Sequence, residues 1–150
     1  MSKTIVLPEG TGYLAGAFLS SALLLMWQSI TVVGGARKRS GVAYPRAYAE
    51  KAEMEANPAA VLFNCAQRAH QNTLENLPIV YVMTLITALQ RPMLAASVLG
   101  VWVAGRVAYT VGYVTGDAKK RHNLASAIQY PILLGLIGTS VSTIWNLVKA

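Results

Sequence analysis

Two sets of polar side chains recur at helical spacing inside long apolar stretches. Asn64, Arg68, Asn72 and Glu75 fall at i, i+4, i+8 and i+11. Trp102, Arg106, Tyr109 and Tyr113 fall at i, i+4, i+7 and i+11. Each set shares one face of a helix. The chemistry such faces offer is anion recognition, because guanidinium groups bind carboxylates through charge-assisted bonds and amides and phenols add neutral ones. Arg106 is the most informative of these residues. An arginine inside a membrane span costs about 2.5–3.5 kcal/mol on insertion scales, so it requires partners. Two kinds are open to it. Glu75, the one acid expected at that depth, would make a structural ion pair. Alternatively, since Arg68 and Arg106 outnumber Glu75 on these faces, a carboxylate-bearing ligand would neutralise the surplus.

Other residues suggest less. His70 has no second ligand at metal-binding spacing, and no metal is expected. Cys65 is the single cysteine, so no intrachain disulfide forms; its expected role is that of a small buried residue, with reactivity or palmitoylation as the lesser alternative. Gly105, Gly112 and Gly116 suit close helix packing rather than phosphate binding. Tyr109 and Tyr113 fit either the site or an interfacial aromatic belt. The run Arg37-Lys38-Arg39 reads as a topology signal that meets lipid headgroups.

The elements that must carry these faces follow from hydropathy. With 54% hydrophobic and 13% charged residues among 150, the chain has about half the charge usual for a soluble domain. Its apolar surplus must therefore face lipid. A span needs about 20 mostly apolar residues, since the hydrocarbon slab is about 30 Å thick. Four segments qualify, at about 13–36, 61–90, 93–115 and 124–148, the second being apolar only in its later half. The prediction is an all-α, single-domain, four-helix membrane bundle over residues 1–150. Pro78 and Pro131 lie inside two of the spans, where each is expected to kink the chain or free a carbonyl.

The net charge is +7, yet the basic residues cluster between apolar runs, which argues for an anionic membrane surface or a small acidic ligand over nucleic acid. Arg37, Lys38, Arg39, Arg46, Lys51, Lys119, Lys120 and Arg121 fall in two loops, against Lys3, Arg91 and Lys149 on the other side. By the positive-inside rule, both basic loops are cytosolic and both termini are not. No cleavable signal peptide is expected, because the first apolar run is too long for a signal core and is followed by its basic cluster.

The run Phe63-Asn64-Cys65-Ala66-Gln67-Arg68-Ala69-His70-Gln71-Asn72-Thr73-Leu74-Glu75, with Pro78 after it, resembles the signature of the MAPEG superfamily. Within that superfamily the type 3 microsomal glutathione S-transferases are most similar. Gly105-Arg106-Val107-Ala108-Tyr109-Thr110-Val111-Gly112-Tyr113, then Thr115-Gly116 and Lys120-Arg121, extend the similarity, as does Arg37-Lys38 with Tyr44-Pro45. The resemblance spans nearly the whole chain. It implies a homotrimeric enzyme of the endoplasmic reticulum or outer mitochondrial membrane that binds glutathione between subunits near the cytosolic face.

By motif position, the resemblance implies that Arg68, His70, Asn72, Glu75, Tyr109 and Tyr113 contact glutathione and that Arg37 also reaches it. Lys38 and Arg106 are further candidates. Arg121 aligns, to within one residue, with the family's thiol-activating arginine. The implied reactions are attack of glutathione thiolate on a lipid-soluble electrophile and reduction of a lipid hydroperoxide. Two departures stand out. Lys38 occupies the place of a second arginine found in leukotriene C synthases, and Asn76-Leu77 replaces an aromatic favoured before the second-helix proline. Two competing readings are a non-catalytic lipid-binding scaffold resembling five-lipoxygenase-activating protein and a small ion carrier using Arg106 and Glu75.

Overall fold

The structure, a computed structural model, describes residues 7–150; Lys3, counted above on the non-cytosolic side, lies outside the described residues. Five α-helices and one 3-10 turn make up the described chain, with no strand among the described residues. Helix α1 runs over Thr11–Ser40, its stretch Trp27–Val33 wound as π-helix. It ends at Gly41, whose φ of 75° is a left-handed cap that β-carbon-bearing residues avoid. A short helix α2, Lys51–Ala56, follows. Helix α3, Pro58–Ala88, begins with Asn57 accepting from the Ala59 N–H and Pro58 at its first position. Helix α4 spans Pro92–Tyr113. The 3-10 turn Ala118–Arg121 leads to α5, Leu124–Lys149.

Three of these helices, α1, α4 and α5, are long and apolar enough to cross a membrane. At 31 residues α3 is about 46 Å long, more than a bilayer core requires, and its polar first half is what lowers its hydropathy. Pro78 leaves α3 unbroken, with its ring on the exposed side. Pro131 has more effect. It supplies no N–H to the Ala127 carbonyl, and regular helix is interrupted at Ile128 just below it.

Exposure is inverted relative to a water-soluble protein. Leu19, Leu23 and Ile30 on α1, Ile79, Val82 and Leu85 on α3, Val107 and Val111 on α4, and Ile137, Val141 and Ile144 on α5 all stand outward. Polar groups turn inward, among them Gln28, Thr73, Arg106, Thr110 and Gln129. Lipid offers no hydrogen bonds, so the bundle interior is where such groups are satisfied. The protein is an all-α integral membrane bundle.

Helix α4 is central, packed against α1, α3 and α5. One apolar cluster, with Leu77, Val80, Leu99, Trp102 and Leu136, fills the part of the bundle away from the basic loops. A second, with Val33, Ala36, Val42, Ala60 and Phe63, seats the α1–α3 connection. That connection is also pinned by Asn64, which exchanges two bonds with the Ala49 backbone at 2.7 and 2.9 Å. Glu53 bonds Arg46 in a bidentate pair at 2.9 and 3.0 Å and receives the Glu50 N–H at 2.8 Å. Those contacts, the backbone bond first, hold its carboxyl below the usual carboxylate range. Because adjacent helices run up and down, the two basic loops come to the same end of the molecule.

Candidate functional site

The polar faces of α3 and α4 meet at the basic end of the bundle, and between them lies a cavity of about 320 Å³. Arg68, Asn72 and Asn76 line it from α3, and Arg106, Tyr109 and Tyr113 from α4. Arg121 and His122 close it from the turn, and Gln129, Tyr130 and Leu133 from α5. Three of these eleven residues are arginines, and none is an acid.

Arg106 reaches from α4 across to α3 and α5. Its Nε and Nη2 donate to Thr73 Oγ1 at 3.1 and 2.7 Å. Its Nη1 donates to Asn72 Oδ1 at 3.0 Å and Gln129 Oε1 at 3.1 Å. The guanidinium also lies 4.2 Å from the Tyr109 ring centroid, a contact that an aromatic face stabilises. The residue is 3% exposed. No carboxylate pairs with it among the described residues. Every partner is a neutral acceptor, which satisfies the N–H groups but leaves the charge uncompensated.

Of the two partners open to Arg106, Glu75 is not the one taken. Its carboxylate turns outward and accepts from Arg68 Nη1 at 2.8 Å, two turns away on the same face of α3. Glu75 thus stands beside the cavity, holding one of its arginines, instead of lining it.

The 3-10 turn presents Arg121 by a tight fit onto α4. Asn123 donates to the Ala108 carbonyl at 3.0 Å and accepts from the Ser126 N–H at 2.8 Å, so one side chain caps α5 and ties it to α4. Gly112 makes the approach possible. A β-carbon there would lie 2.2 Å from the Lys120 carbonyl oxygen, far inside contact distance. Held this way, Arg121 donates through Nη1 to the Tyr113 hydroxyl at 3.3 Å and sits over the Tyr113 ring. The neighbouring Lys120 faces a separate, mainly apolar groove against Ala108, Val111 and Thr115. Of the two adjacent cations, then, only Arg121 reaches the cavity.

The remaining expected contacts sit elsewhere. His70 faces α1, with Nδ1 3.4 Å from Gln28 Oε1. Arg37 is sandwiched between the rings of Tyr44 and Phe63 at 4.2 and 4.5 Å, and its Nη1 donates to the Val42 and Arg46 carbonyls at 3.3 and 2.8 Å. Lys38 is exposed and borders a shallow surface depression with Arg37. Within one chain, none of the three lines the cavity. Asn64 and Trp102, members of the two faces, serve the α1–α3 connection and the core.

Several lining residues escaped sequence reasoning. Asn76 lies one turn beyond Asn72 and extends the same face. Gln129 is an amide within an apolar run, and the cost argument applied to Arg106 applies to it as well. His122 and Tyr130 come from the turn and the start of α5, where no periodicity signals them.

The MAPEG family model matches residues 14–142 of the chain. The chain belongs to this family. MAPEG membership places its function in membrane glutathione transfer or related lipid metabolism, a class that suits a cationic cavity opening at one end of a lipid-embedded bundle. The family includes non-enzymatic members as well as glutathione transferases and peroxidases, so the activity of this MAPEG protein depends on the chemistry of its own cavity.

Proposed function

We propose that this MAPEG protein is a glutathione transferase with glutathione-dependent peroxidase activity, resembling type 3 microsomal enzymes. One observation carries the reading: three arginines, one buried and paired only with neutral groups, converge on a cavity without an acid. Glutathione has two carboxylates, an ammonium and a thiol. One carboxylate completes the charge balance that Arg106 leaves open, and the other bonds Arg68 at the N–H groups that Glu75 does not take. Asn72, Tyr109 and Tyr113 supply neutral bonds, and Glu75, beside Arg68, meets the ammonium.

Arg121 is the residue we assign to the thiol. A free thiol has a pKa of about 8.5, so only a few per cent is thiolate at neutral pH. Lowering it by about two units requires roughly 2.7 kcal/mol. A guanidinium about 4 Å away supplies up to about 4 kcal/mol at an effective dielectric near 20. No metal is needed. The thiolate attacks an electrophilic carbon of a lipid-soluble substrate and forms the C–S bond, while a proton or leaving group balances the charge. With a hydroperoxide, it attacks the terminal oxygen and breaks the O–O bond. The alkoxide takes a proton to become the alcohol, and the glutathione sulfenic acid reacts with a second glutathione to give disulfide and water.

The assembly we propose is a homotrimer with the site between subunits, in a reticulum or outer mitochondrial membrane, both basic loops cytosolic. Arg37 would then reach a neighbour's cavity, while Lys38 would meet the lipid substrate. The second reading, a lipid-binding scaffold without catalysis, is favoured by the apolar groove beside Lys119 and Lys120 but gives no role to the cavity arginines. Calorimetry of purified protein in detergent separates the two. The enzyme reading expects saturable glutathione binding with ultraviolet thiolate absorbance, and absence of binding leaves the scaffold.

A further inference from the structure

The first span carries no charge between Tyr13 and Ala36, yet it holds Gln28, which is fully buried. An amide in an apolar span is retained only where both its donors and its acceptor find partners. Gln28 lies at the start of the π-helical stretch of α1, where the wider winding alters which residue faces the bundle. Its Nε2 donates to Thr73 Oγ1 on α3 at 2.9 Å and to Thr110 Oγ1 on α4 at 2.7 Å. One nitrogen therefore bridges the two helices that carry the cavity.

The two hydroxyls it meets both turn their own hydrogens to backbone carbonyls and so accept from the amide. Thr73 Oγ1 donates its own hydrogen to the Ala69 carbonyl at 3.0 Å, and Thr110 Oγ1 donates to the Arg106 carbonyl at 2.8 Å. Between two hydroxyls so engaged, a carboxamide nitrogen fits because it brings two N–H donors on one atom. Turning the amide over would require both hydroxyls to give up their backbone carbonyls to meet Oε1, so the present orientation satisfies more groups. Thr73 Oγ1 is also the oxygen that receives Arg106 Nε and Nη2. The two ends of the bridge thus hold both the backbone from which Arg106 springs and the acceptor on which it lands.

From this arrangement we infer that Gln28 is a positioning residue for Arg106: it sets the α3–α4 separation where the guanidinium crosses, and so shapes the anion site without lining the cavity. His70, against Gln28 Oε1, acts through the same amide. The effect on ligand affinity rests on the glutathione reading above, whereas the effect on Arg106 does not.

The test compares the parent with Gln28→Leu, a shape-preserving change that removes both donors. Two quantities are measured in detergent: solvent exchange of arginine Nε–H groups by nitrogen-15 NMR, with the Arg106 signal identified from Arg106→Lys, and glutathione affinity. In Gln28→Leu the Arg106 Nε–H should exchange about tenfold faster, and glutathione should bind about tenfold more weakly, as expected for losing cross-helix bonds at bilayer depth. Exchange at Arg91, which bonds Ser142 at the opposite end of the bundle, should not change, and neither should the pKa of the bound thiol. General loosening would move Arg91 as well and would overturn the proposal. Unchanged Arg106 exchange in a folded variant also overturns it. Faster Arg106 exchange in a protein whose parent binds no glutathione upholds the brace and removes the enzyme reading instead. Should Gln28→Leu fail to fold, Thr110→Val removes the α4 arm alone and must show the same selective acceleration.

Discussion

Arg68 and Arg121 line the same cavity but are held differently, and their substitutions should separate accordingly. Arg68 is locked by Glu75 on its own helix, which fixes its direction and partly neutralises it. Arg121 rests on a phenol and an imidazole, with no carboxylate paired to it among the described residues. Its charge is therefore available to a thiol. Arg121→Ala should raise the bound thiol pKa toward the ordinary value of about 8.5. Since a guanidinium favours the charged form, its loss shifts the pH–rate curve upward. The deficit at neutral pH, up to about 100-fold for two units, should shrink as pH rises through the new pKa. Stopped-flow conjugation rates across pH would check this. Arg68→Ala should weaken glutathione binding by about tenfold to a hundredfold, the worth of a hydrogen bond to a charged group, and leave the thiol pKa alone; titration calorimetry measures it. Parent-like rates from both variants would show that the site is misplaced.

Among the elements, the turn between α4 and α5 controls whether the cavity has its third cation. Its contact with α4 depends on the absence of a side chain at Gly112. Gly112→Ala must push the Lys120 backbone away, at a cost typical of over-packing, roughly 1–3 kcal/mol. The expected result is a lower melting temperature and a loss of turnover larger than the loss of glutathione affinity, because Arg121 moves while Arg68 and Arg106 stay. Equal losses of both would mean that the turn is not the mobile part. The α3 and α4 faces were legible from spacing because a helix repeats every 3.6 residues whatever packs on it. The turn was not, since its position depends on a single glycine contact and on Asn123, neither of which has a period.

For the whole molecule, one chain holds Arg37 in its own α1–α3 connection, away from the cavity, whereas the function we propose has it reach the ligand. The proposed trimer with shared sites would reconcile the two. Arg37→Ala and Arg121→Ala protomers, each impaired in its own assembly at neutral pH, should then regain part of the parent rate when co-assembled, because some interfaces combine an intact Arg37 with a neighbour's intact Arg121. Cross-linking and native mass measurement would establish the stoichiometry of the same preparation. No recovery in verified mixed trimers would place Arg37 in a purely structural role, as the Tyr44–Phe63 sandwich already suggests.

Low charge, three apolar runs with a fourth apolar only in its later half, and the basic loops made a membrane bundle legible from the chain, because transfer into lipid acts on segments and needs no knowledge of neighbours. Spacing likewise placed Asn72, Arg106, Tyr109 and Tyr113 on helix faces that could meet. Pairing was another matter. Whether Glu75 would neutralise Arg106 or bind Arg68 depended on which way each face turned and on how close α3 and α4 came. The groups that meet these faces come from distant parts of the sequence: Gln28 on α1 bonds both Thr73 and Thr110, and Gln129 on α5 bonds Arg106. A charge in a bilayer is costly in any fold, but what satisfies it exists only once the helices have packed.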